Sequence, residues 1–372
     1  MRLTAIAVLL ACTAPALAGP LDPPVGPIQS TFKTLTQVEP RIEINATNTP
    51  GDADSLYKIT QPGSYYLTGN ITGVVGKHGI EIASSGVTID LSGFDLVGAP
   101  AMGNFDGISA TVALLTNIAV LNGSVRNWGD KGIDLGSFPV TNCRVSDVFA
   151  SGCTGFGISS GVATTLSNCS ASQNTGGGIN IGVGSNAINC SAYNNASNGI
   201  IIGFGSTASN CSAYANVGSG IVTGNSSTVS GCSAYDNDAN GISAGSGSTV
   251  THNAVRFNSS DGILCGSQSL ILGNTCSFNG QAGVGAGIRV TNFDNRIEGN
   301  NCIGADTGIK VDSAGNIIIR NSCSGNTINW DIVGNNIYGP IIDRTAPASA
   351  AVVGNAAAST LGSTDPNANF SY

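Results

Sequence analysis

A glycine followed by an aliphatic residue recurs every 21 residues through the middle of this chain. The interval is constant over five successive steps, and copies with looser spacing continue the series on both sides. A unit of this size cannot bury its apolar side alone and does so by stacking on its neighbours, so the interval predicts a solenoid. The regular glycines are Gly157, Gly178, Gly199, Gly220, Gly241 and Gly262, and the flanking copies begin at Gly79, Gly107, Gly132, Gly287 and Gly308.

Each repeat holds two apolar stretches of strand length separated by polar turns, as in residues 199–202 and 208–214. Twenty-one residues cannot contain two helices with their turns, whereas two or three short strands fit. Parallel strands joined by crossovers strongly prefer the right-handed connection. We therefore predict an all-β fold, a right-handed parallel β-helix of about 12 coils with repeats of 21–28 residues.

Three residue types recur at the same interval, and equivalent positions of a solenoid lie above one another. Asparagine tolerates the left-handed backbone of a corner, and its amide can bond to the amide of the next coil, so the asparagines predict a corner ladder. The tyrosines predict a self-packed aromatic ladder or, alternatively, rings that stack on sugars. The columns are Cys169, Cys190, Cys211 and Cys232; Asn174, Asn195, Asn216, Asn237 and Asn258; and Tyr193, Tyr214 and Tyr235.

The first residues are typical of an export signal. Arg2 precedes an apolar run, and the small residues 16–18 predict cleavage before Gly19. A competing interpretation places a lipoprotein-type box at residues 9–12, with Cys12 lipidated. No other segment approaches the roughly 20 apolar residues of a membrane span. We therefore expect a secreted, periplasmic or cell-surface protein.

Ten cysteines follow the predicted cleavage site. An even number in an exported protein ordinarily suggests disulfides. Cysteines stacked on parallel strands have side-by-side Cβ vectors, however, which suits the disulfide torsion of about 90° poorly. Cys265 also replaces an aliphatic core residue. We predict free thiols that fill the interior.

The chain divides into four segments: a signal peptide over 1–18, a spacer and cap over 19–56, the β-helix over 57–340, and a low-complexity arm over 341–372. The open end of the first coil requires a cover, and residues 31–39 have the apolar spacing of a helix that could supply it. The arm is expected to lie along the rod or to be disordered. Its expected docking site is an apolar part of the exposed column at Ile201, Val222 and Leu264.

Charged residues make up only 10% of the chain, and the formal net charge is −8. No lysine or arginine occurs between Arg144 and Arg256. Nucleic acid is therefore excluded as a partner, because phosphate binding needs clustered basic residues. A surface of Ser, Thr, Asn and Gly suits contact with extracellular polysaccharide or cell-envelope glycan.

Residues 59–70 and 86–94, followed by the Asn-Cys and Gly-Ile repeats, resemble secreted bacterial right-handed β-helix proteins. These belong to the pectin-lyase-like superfamily and carry repeats of the NosD-like, PbH1 type. The resemblance covers nearly all of residues 57–340. It implies the fold, and it implies carbohydrate as a partner class, because the superfamily includes pectate lyases, polygalacturonases, alginate epimerases and phage tailspikes. Their catalytic signatures are not recognisable at matching positions.

Copper, which the NosD-like repeats suggest, lacks clustered ligands here, since His78 and His252 lie many coils apart.

The first three coils bring the charged residues Glu81, Asp106, Lys131 and Asp134 to one side of the predicted rod, together with His78. A pair of carboxylates can supply the acid and base of glycoside hydrolysis, and Lys131 can take a proton in an elimination. These four residues are our candidate catalytic residues. The alternative is that they are solvated residues on an outer face. The longer repeats in this region leave room for loops, which also carry Trp128.

Asp236, Asp238 and Asn240 match the opening of a calcium loop. An EF-hand loop needs a bidentate carboxylate at its twelfth position, and Gly247 occupies that position. The three residues are therefore either a calcium site or ordinary variation in a corner sequence. The chain predicts no other metal and no cofactor.

The regular repeats favour a non-enzymatic exported β-helix that presents a polar surface to extracellular or cell-envelope glycans, because binding clefts usually need loops inserted at corners. The alternative is a carbohydrate-active enzyme, a polysaccharide lyase, hydrolase or epimerase, with its site on the first three coils. Both interpretations remain open from the sequence, as does the oligomeric state.

Overall fold

Each glycine–aliphatic motif begins a short strand whose first and third side chains point inward. In Ile200–Ile202 the outer two isoleucines are buried and Ile201 is half-exposed. The preceding Gly199 is required by a close approach between coils, because a Cβ at this position would lie 2.6 Å from the carbonyl oxygen of Gly220. The period of the sequence is therefore a packing requirement between consecutive coils.

The computed structural model describes residues 39–137, 140–280, 283, 285–343 and 364–371. The described residues from Arg41 onward belong to one compact unit. The predicted signal peptide, lipidation site and nearly all of the predicted cap helix lie outside the described residues. The described residues contain no helix that is long and apolar enough to span a membrane.

One parallel sheet, which we call face 1, carries the predicted glycine–aliphatic column. It has thirteen strands within the described residues, one more than the predicted number of coils. The strands are Ser55–Ile59, His78–Ile82, Ile108–Ala110, Ile133–Leu135, Ile158–Ser160, Ile179–Ile181, Ile200–Ile202, Ile221–Thr223, Ile242–Ala244, Ile263–Cys265, Ala286–Val290, Thr307–Val311 and Ile328–Ile332.

A second parallel sheet of 26 described strands bends into two strips, face 2 and face 3, so that each coil has three sides. Two long strands, Ala119–Arg126 and Arg144–Ser151, pass through both strips. Face 2 also contains Ile42–Glu43, Gly63–Tyr66, Val87–Asp90, Thr165–Ser167, Asn186–Ile188, Thr207–Ser209, Thr228–Ser230, Thr249–Thr251, Leu270–Leu272, Arg296–Glu298, Ile317–Ile319 and Ile337–Tyr338. Face 3 also contains Ile71–Thr72, Asp95–Val97, Ser170–Ser172, Ser191–Tyr193, Ser212–Tyr214, Ser233–Tyr235, Ala254–Arg256, Thr275–Ser277, Asn301–Ile303, Ser322–Ser324, Ile341–Asp343 and Asn369–Ser371.

The strand register confirms the predicted fold and columns. On face 1, Glu81 pairs with Ser109, and Ser109 pairs with Asp134. On face 3, Tyr193 pairs with Tyr214. The outward column of face 1 is thus Lys58, Glu81, Ser109, Asp134, Ser159, Asn180, Ile201, Val222, Ser243, Leu264, Arg289, Lys310 and Asp331.

Asparagines form the predicted ladder inside one corner. The side-chain amide of Asn195 donates to Asn216 Oδ1 at 2.9 Å and to the carbonyl oxygen of Ala171 at 3.1 Å. The left-handed backbone predicted for these asparagines is wrong. The preceding residue in each coil has the positive φ, as Asn194 (58°) and Ala215 (53°) show, because the chain turns one residue earlier. The ladder asparagine then points its amide into the corner.

The predicted free thiols are confirmed: each of the ten cysteines in the described residues is buried and unbridged. Cys232 shares a column with Asn253, since the backbone N–H of Cys232 donates to Asn253 Oδ1 at 2.8 Å. Sulfur atoms and amides therefore fill the same corner in different coils. Burial raises the pKa of Cys265 to about 12, so its thiol is protonated at neutral pH.

The end of the chain inserts into the last coils. Asn369–Ser371 pairs in parallel with Ser322–Ser324 on one side and with Ile341–Asp343 on the other. Asn369 is fully buried and continues an asparagine ladder, because its Oδ1 accepts the backbone N–H of Asn321 at 3.0 Å. The predicted docking of the arm on the apolar column of face 1 is therefore wrong for this segment, which docks on face 3. The remainder of the arm, residues 344–363 and Tyr372, lies outside the described residues.

Candidate functional site

The outward column of face 1 is charged only toward its two ends. Lys58, Glu81 and Asp134 lie near the start, and Arg289, Lys310 and Asp331 occupy the last three positions. The seven positions between Asp134 and Lys310 hold one charged residue, Arg289; the other six are uncharged. The four predicted catalytic residues belong to the N-terminal end, which we call the N-terminal cluster.

The three carboxylates of the N-terminal cluster are buried rather than solvated. Glu81 is 3% exposed, Asp106 is 4% exposed and Asp134 is 3% exposed. The interpretation of these residues as ordinary solvated groups is therefore wrong. Burial of a charged group requires internal partners, and the structure provides them for most of the carboxylate oxygens.

Asp106 connects the first three coils. Its Oδ1 accepts the backbone N–H of Lys131 at 2.9 Å, and its Oδ2 accepts the hydroxyl of Ser109 at 3.0 Å. The backbone N–H of Asp106 donates to His78 Nδ1 at 3.0 Å. His78 Nδ1 is thus an acceptor, which places the proton of the neutral imidazole on Nε2. The edge of the His78 ring also packs against Phe105, with ring centroids 5.0 Å apart.

Burial raises the pKa of Asp106 to about 6. The Lys131 N–H bond opposes this rise, whereas the negative charge of Asp134 adds to it. A carboxyl group with a pKa near 6 can exchange protons close to neutral pH. Asp106 is therefore the residue of the cluster with the electrostatics of an acid or base.

Lys131 and Asp134 form an ion pair whose carboxylate oxygens are both bonded within the protein. Lys131 Nζ lies 3.0 Å from Asp134 Oδ2, while Asp134 Oδ1 accepts the backbone N–H groups of Gly136 and Ser137, each at 3.0 Å. Burial acts to lower the pKa of Lys131, but Asp134, Asp106 and Asp130 outweigh it and raise that pKa above its ordinary value. The amine stays protonated, so the predicted role of Lys131 as a base is disfavoured.

Glu81 is bound on one oxygen only. Its Oε1 lies 2.8 Å from Lys58 Nζ and accepts the hydroxyl of Thr111. Its Oε2 is buried and has no hydrogen-bond partner within the described residues. The sequence did not identify Lys58 or Thr111 as partners, although Lys58 could have been found as the preceding member of the same outward column.

Asp52 and Asp54 lie beside Glu81, and one carboxylate oxygen from each of the three is within 4.8 Å of the others. Lys58 Nζ is 2.7 Å from Asp52 Oδ2 as well as 2.8 Å from Glu81 Oε1. The hydrogen bond from Lys58 is the main cause that holds the pKa of Asp52 well below its usual range. The ammonium group of Lys58 thus supplies the positive charge that these carboxylates require.

Trp128 lies in the loop segment that follows the strand Ala119–Arg126, as the sequence indicated, but its side chain belongs to the core. The side chain is buried, and its Nε1 donates to the carbonyl oxygen of Leu96 at 3.1 Å. A depression of about 510 Å³ lies on this corner between Gly98 and Thr154. None of the four predicted catalytic residues lines it, so it is separate from the N-terminal cluster.

The tyrosine column is a self-packed ladder. The rings of Tyr193 and Tyr214 stack with centroids 6.3 Å apart, and Tyr235 follows at 6.0 Å. The ladder continues through Phe257, whose ring lies 5.7 Å from Tyr235 and carries the guanidinium of Arg256 at 4.3 Å. The rings therefore pack against one another or against an arginine, as a self-packed ladder requires. The tyrosines are nevertheless 40–46% exposed, so the stacking of sugars on them stays a prediction.

The three residues of the predicted calcium loop lie on a corner between face 3 and face 1. Asp236 and Asp238 are exposed. Asn240 Oδ1 accepts the backbone N–H of Asp261 from the next coil at 3.0 Å. Asn240 therefore contributes to contacts between coils, and the calcium site stays a prediction.

The three-sided coil, the parallel register and the 21-residue repeat all describe one known architecture. The model of the family described as "Right handed beta helix region" matches residues 115–260. The chain contains a right-handed β-helix. This confirms the resemblance that the repeats indicated. No curated protein matches the sequence.

Solved structures extend the likeness of this β-helix beyond the matched region. The A-module of Azotobacter vinelandii mannuronan C-5 epimerase AlgE4 is 18% identical, with a TM-score of 0.64 over 75% of this chain and 91% of that one. The A-module of AlgE6 from the same organism is also 18% identical, with a TM-score of 0.59 over 74% of this chain and 89% of that one. At this identity the likeness is one of fold.

Proposed function

We propose that this protein is a non-catalytic β-helix that binds polysaccharide along face 1. The observation that carries the proposal is the internal bonding of the N-terminal cluster. Asp134 is held by two backbone N–H groups and Lys131, and Lys131 is held in its protonated form. Groups that are buried and bonded in this way are poorly placed to exchange protons with a glycan.

Two further observations support a polysaccharide as the partner. Face 1 presents a straight, mostly uncharged column of side chains at one coil spacing, about 4.8 Å, which suits an extended polymer. The proteins of similar fold include mannuronan epimerases, which by their name act on a polysaccharide. The proposal includes export through the signal peptide predicted at residues 1–18.

The decisive experiment compares binding with turnover. The mature protein is incubated with acidic and neutral polysaccharides, with and without calcium, while affinity electrophoresis follows binding. Reducing ends, unsaturated uronates and the epimer ratio follow reaction. Retained binding with no product supports the proposal. Product that disappears in Asp134→Asn, with the melting temperature unchanged, would overturn it.

An acid–base enzyme is the second candidate, because Asp106 has a pKa near 6 and Glu81 Oε2 has no partner within the described residues. This candidate expects product release that follows the protonation of Asp106 and is lost in Asp106→Asn and in Glu81→Gln. Equal product release by both variants and the wild type would exclude it. Asp238→Asn, an exposed substitution of the same type, serves as the control.

A further inference from the structure

A second charged cluster lies at the C-terminal end of face 1. Arg289 pairs in register with Lys310, and Lys310 pairs with Asp331, so three charged side chains leave consecutive coils in one line. Asp134 is seven coils away from Arg289 along the column, about 34 Å. This end is therefore independent of the N-terminal cluster.

The repeat lengthens at this cluster. Gly262 and Gly287 are 25 residues apart, whereas the ladder residues Asn258 and Asn279 keep the 21-residue spacing. The four additional residues therefore fall between Asn279 and Gly287 in the sequence, where the described residues Gly283 and Gly285 lie at the corner that leads onto face 1. The backbone N–H of Gly283 donates to Asp306 Oδ2 at 2.6 Å and so attaches this corner to the next coil. Loops inserted at corners commonly carry binding sites on a rigid scaffold.

Two depressions share Arg289 as a lining residue, and we call the two together the groove. The first has a volume of about 320 Å³, and the second has a volume of about 500 Å³. Apolar contact surface is present in both, from Leu264 in the first and Ile328 in the second. The remaining lining residues are mostly polar: Asn240, Ser260, Asp261 and Gly285 in the first, and Gly283, Asp306, Thr307, Lys310, Thr327 and Asp331 in the second.

The charged side chains of the groove form ion pairs, of which the one between Arg289 and Asp312 is a hydrogen bond. Arg289 Nε donates to Asp312 Oδ2 at 2.6 Å, and its Nη1 lies 3.9 Å from Asp261 Oδ2. Asp261 is 5% exposed, and its Oδ1 accepts the backbone N–H of Ala286 at 2.8 Å. Lys310 Nζ lies 3.7 Å from Asp331 Oδ2. The groove thus presents Arg289 as a donor oriented by Asp312, and it offers further donors and acceptors on Lys310, Asp261 and Asp331 for the recognition of hydroxyl groups.

The balance of negative and positive side chains around the groove indicates which class of glycan it can bind. The carboxylates of Asp261, Asp306, Asp312 and Asp331 outnumber the two cations of Arg289 and Lys310, and the whole chain has a formal net charge of −8. A polyuronate entering this groove would meet net negative charge, which opposes its binding. A neutral sugar meets no such repulsion and can use the donors and acceptors together.

We infer that the groove around Arg289 and Lys310 binds a neutral, hydroxyl-rich glycan. The sugar rings lie against Leu264 and Ile328, and the ion-paired side chains bond to the hydroxyl groups. This inference rests on the proposed function, because it assigns the position and the chemical class of the glycan that face 1 binds.

The experiment measures binding to soluble neutral polysaccharides (a β-glucan, a mannan and a xylan) and to two polyuronates (alginate and polygalacturonate) at low and high ionic strength. Lys310→Gln removes one cation of the groove. Thr327→Trp fills the larger depression without changing an ion pair. Arg256→Gln is the matched control, since it removes one positive charge on face 3. Melting temperatures establish that each variant is folded.

We expect the wild type to bind at least one neutral glycan with an affinity that ionic strength hardly changes. Lys310→Gln and Thr327→Trp should each weaken it about tenfold or more, whereas Arg256→Gln should leave it unchanged. Neutral-glycan binding that both groove variants retain would overturn this site and leave the proposed function standing. A preference for polyuronates would overturn the ligand class. No binding to any glycan would overturn the proposed function as well.

Discussion

At the scale of single residues, the unusual feature is a set of carboxylates that are buried in a charge-poor protein. Asp106 is the member whose protonation is tied most closely to folding, because burial raises its pKa from the ordinary 3.8 to about 6. The native state binds this proton more tightly than the unfolded state does. The resulting stability is fully present below pH 3.8 and is lost as the pH rises through 6.

Asp106→Asn should therefore stabilise the protein above pH 6 and remove this part of the pH dependence. A shift of about two pKa units corresponds to about 3 kcal/mol, which is the expected upper limit of the gain in unfolding free energy at pH 8. Urea denaturation at intervals from pH 4 to pH 8 measures it. Asp238→Asn is the control at an exposed carboxylate. Parallel curves for Asp106→Asn and the wild type across this range would contradict the prediction.

At the scale of the structural element, the asparagine ladder holds the coils together. Each member donates to the coil on either side, so the bonds form a continuous line along one corner. Asn216 is central: its Nδ2 donates to Asn237 Oδ1 and to the carbonyl oxygen of Ala192, while its Oδ1 accepts two N–H groups of Asn195. Buried groups that lose such partners destabilise the native state.

Asn216→Ala should lower the free energy of unfolding by about 3–5 kcal/mol, because it leaves several buried polar groups without partners. Asn186→Ala, at an exposed strand position on face 2, should change it by less than about 0.5 kcal/mol. Denaturant midpoints of the two variants provide the comparison. Equal midpoints would mean that the ladder determines how the coils are arranged but contributes little to the free energy of unfolding.

The 21-residue period was sufficient to predict the fold and the register, because a slip of one residue would turn isoleucines such as Ile200 and Ile202 outward. It also placed Glu81 and Asp134 in one column. It could not predict their burial, since Glu81 is covered by Thr111, 30 residues away. The left-handed positions were misassigned by one residue, because the same repeat places polar residues such as Asn194 and Asn195 on both sides of the turn.

At the scale of the whole molecule, the two ends of the solenoid require protection of their strand edges. The C-terminal strand meets this need by inserting between Ser322–Ser324 and Ile341–Asp343. The sequence did not predict this arrangement, since the strand begins 26 residues after Asp343 and lacks a glycine–aliphatic pair. The similarity of Asn369-Phe370-Ser371 to Asn321-Ser322-Cys323, an asparagine followed by two strand residues, is the signal that was available.

Deletion of residues 364–372 should expose two strand edges and promote self-association. We expect larger species in sedimentation velocity and a lower melting temperature than for the same chain without the deletion. Asn369→Ala keeps the strand but removes its ladder amide, so its effect should be smaller. A deletion variant that sediments and melts like the wild type would show that the inserted strand is dispensable.

The constant spacing of the middle coils has a consequence for size. Each coil from Gly157 to Gly262 adds 21 residues and the same rise, and the strand register continues unchanged into the next coil. Loss or duplication of one coil would leave every column intact and would move the two charged ends of face 1 by one step of about 4.8 Å. The length of face 1 can therefore change during evolution by one coil at a time, and each such change alters the distance between its two charged ends by a step comparable to the length of one sugar unit.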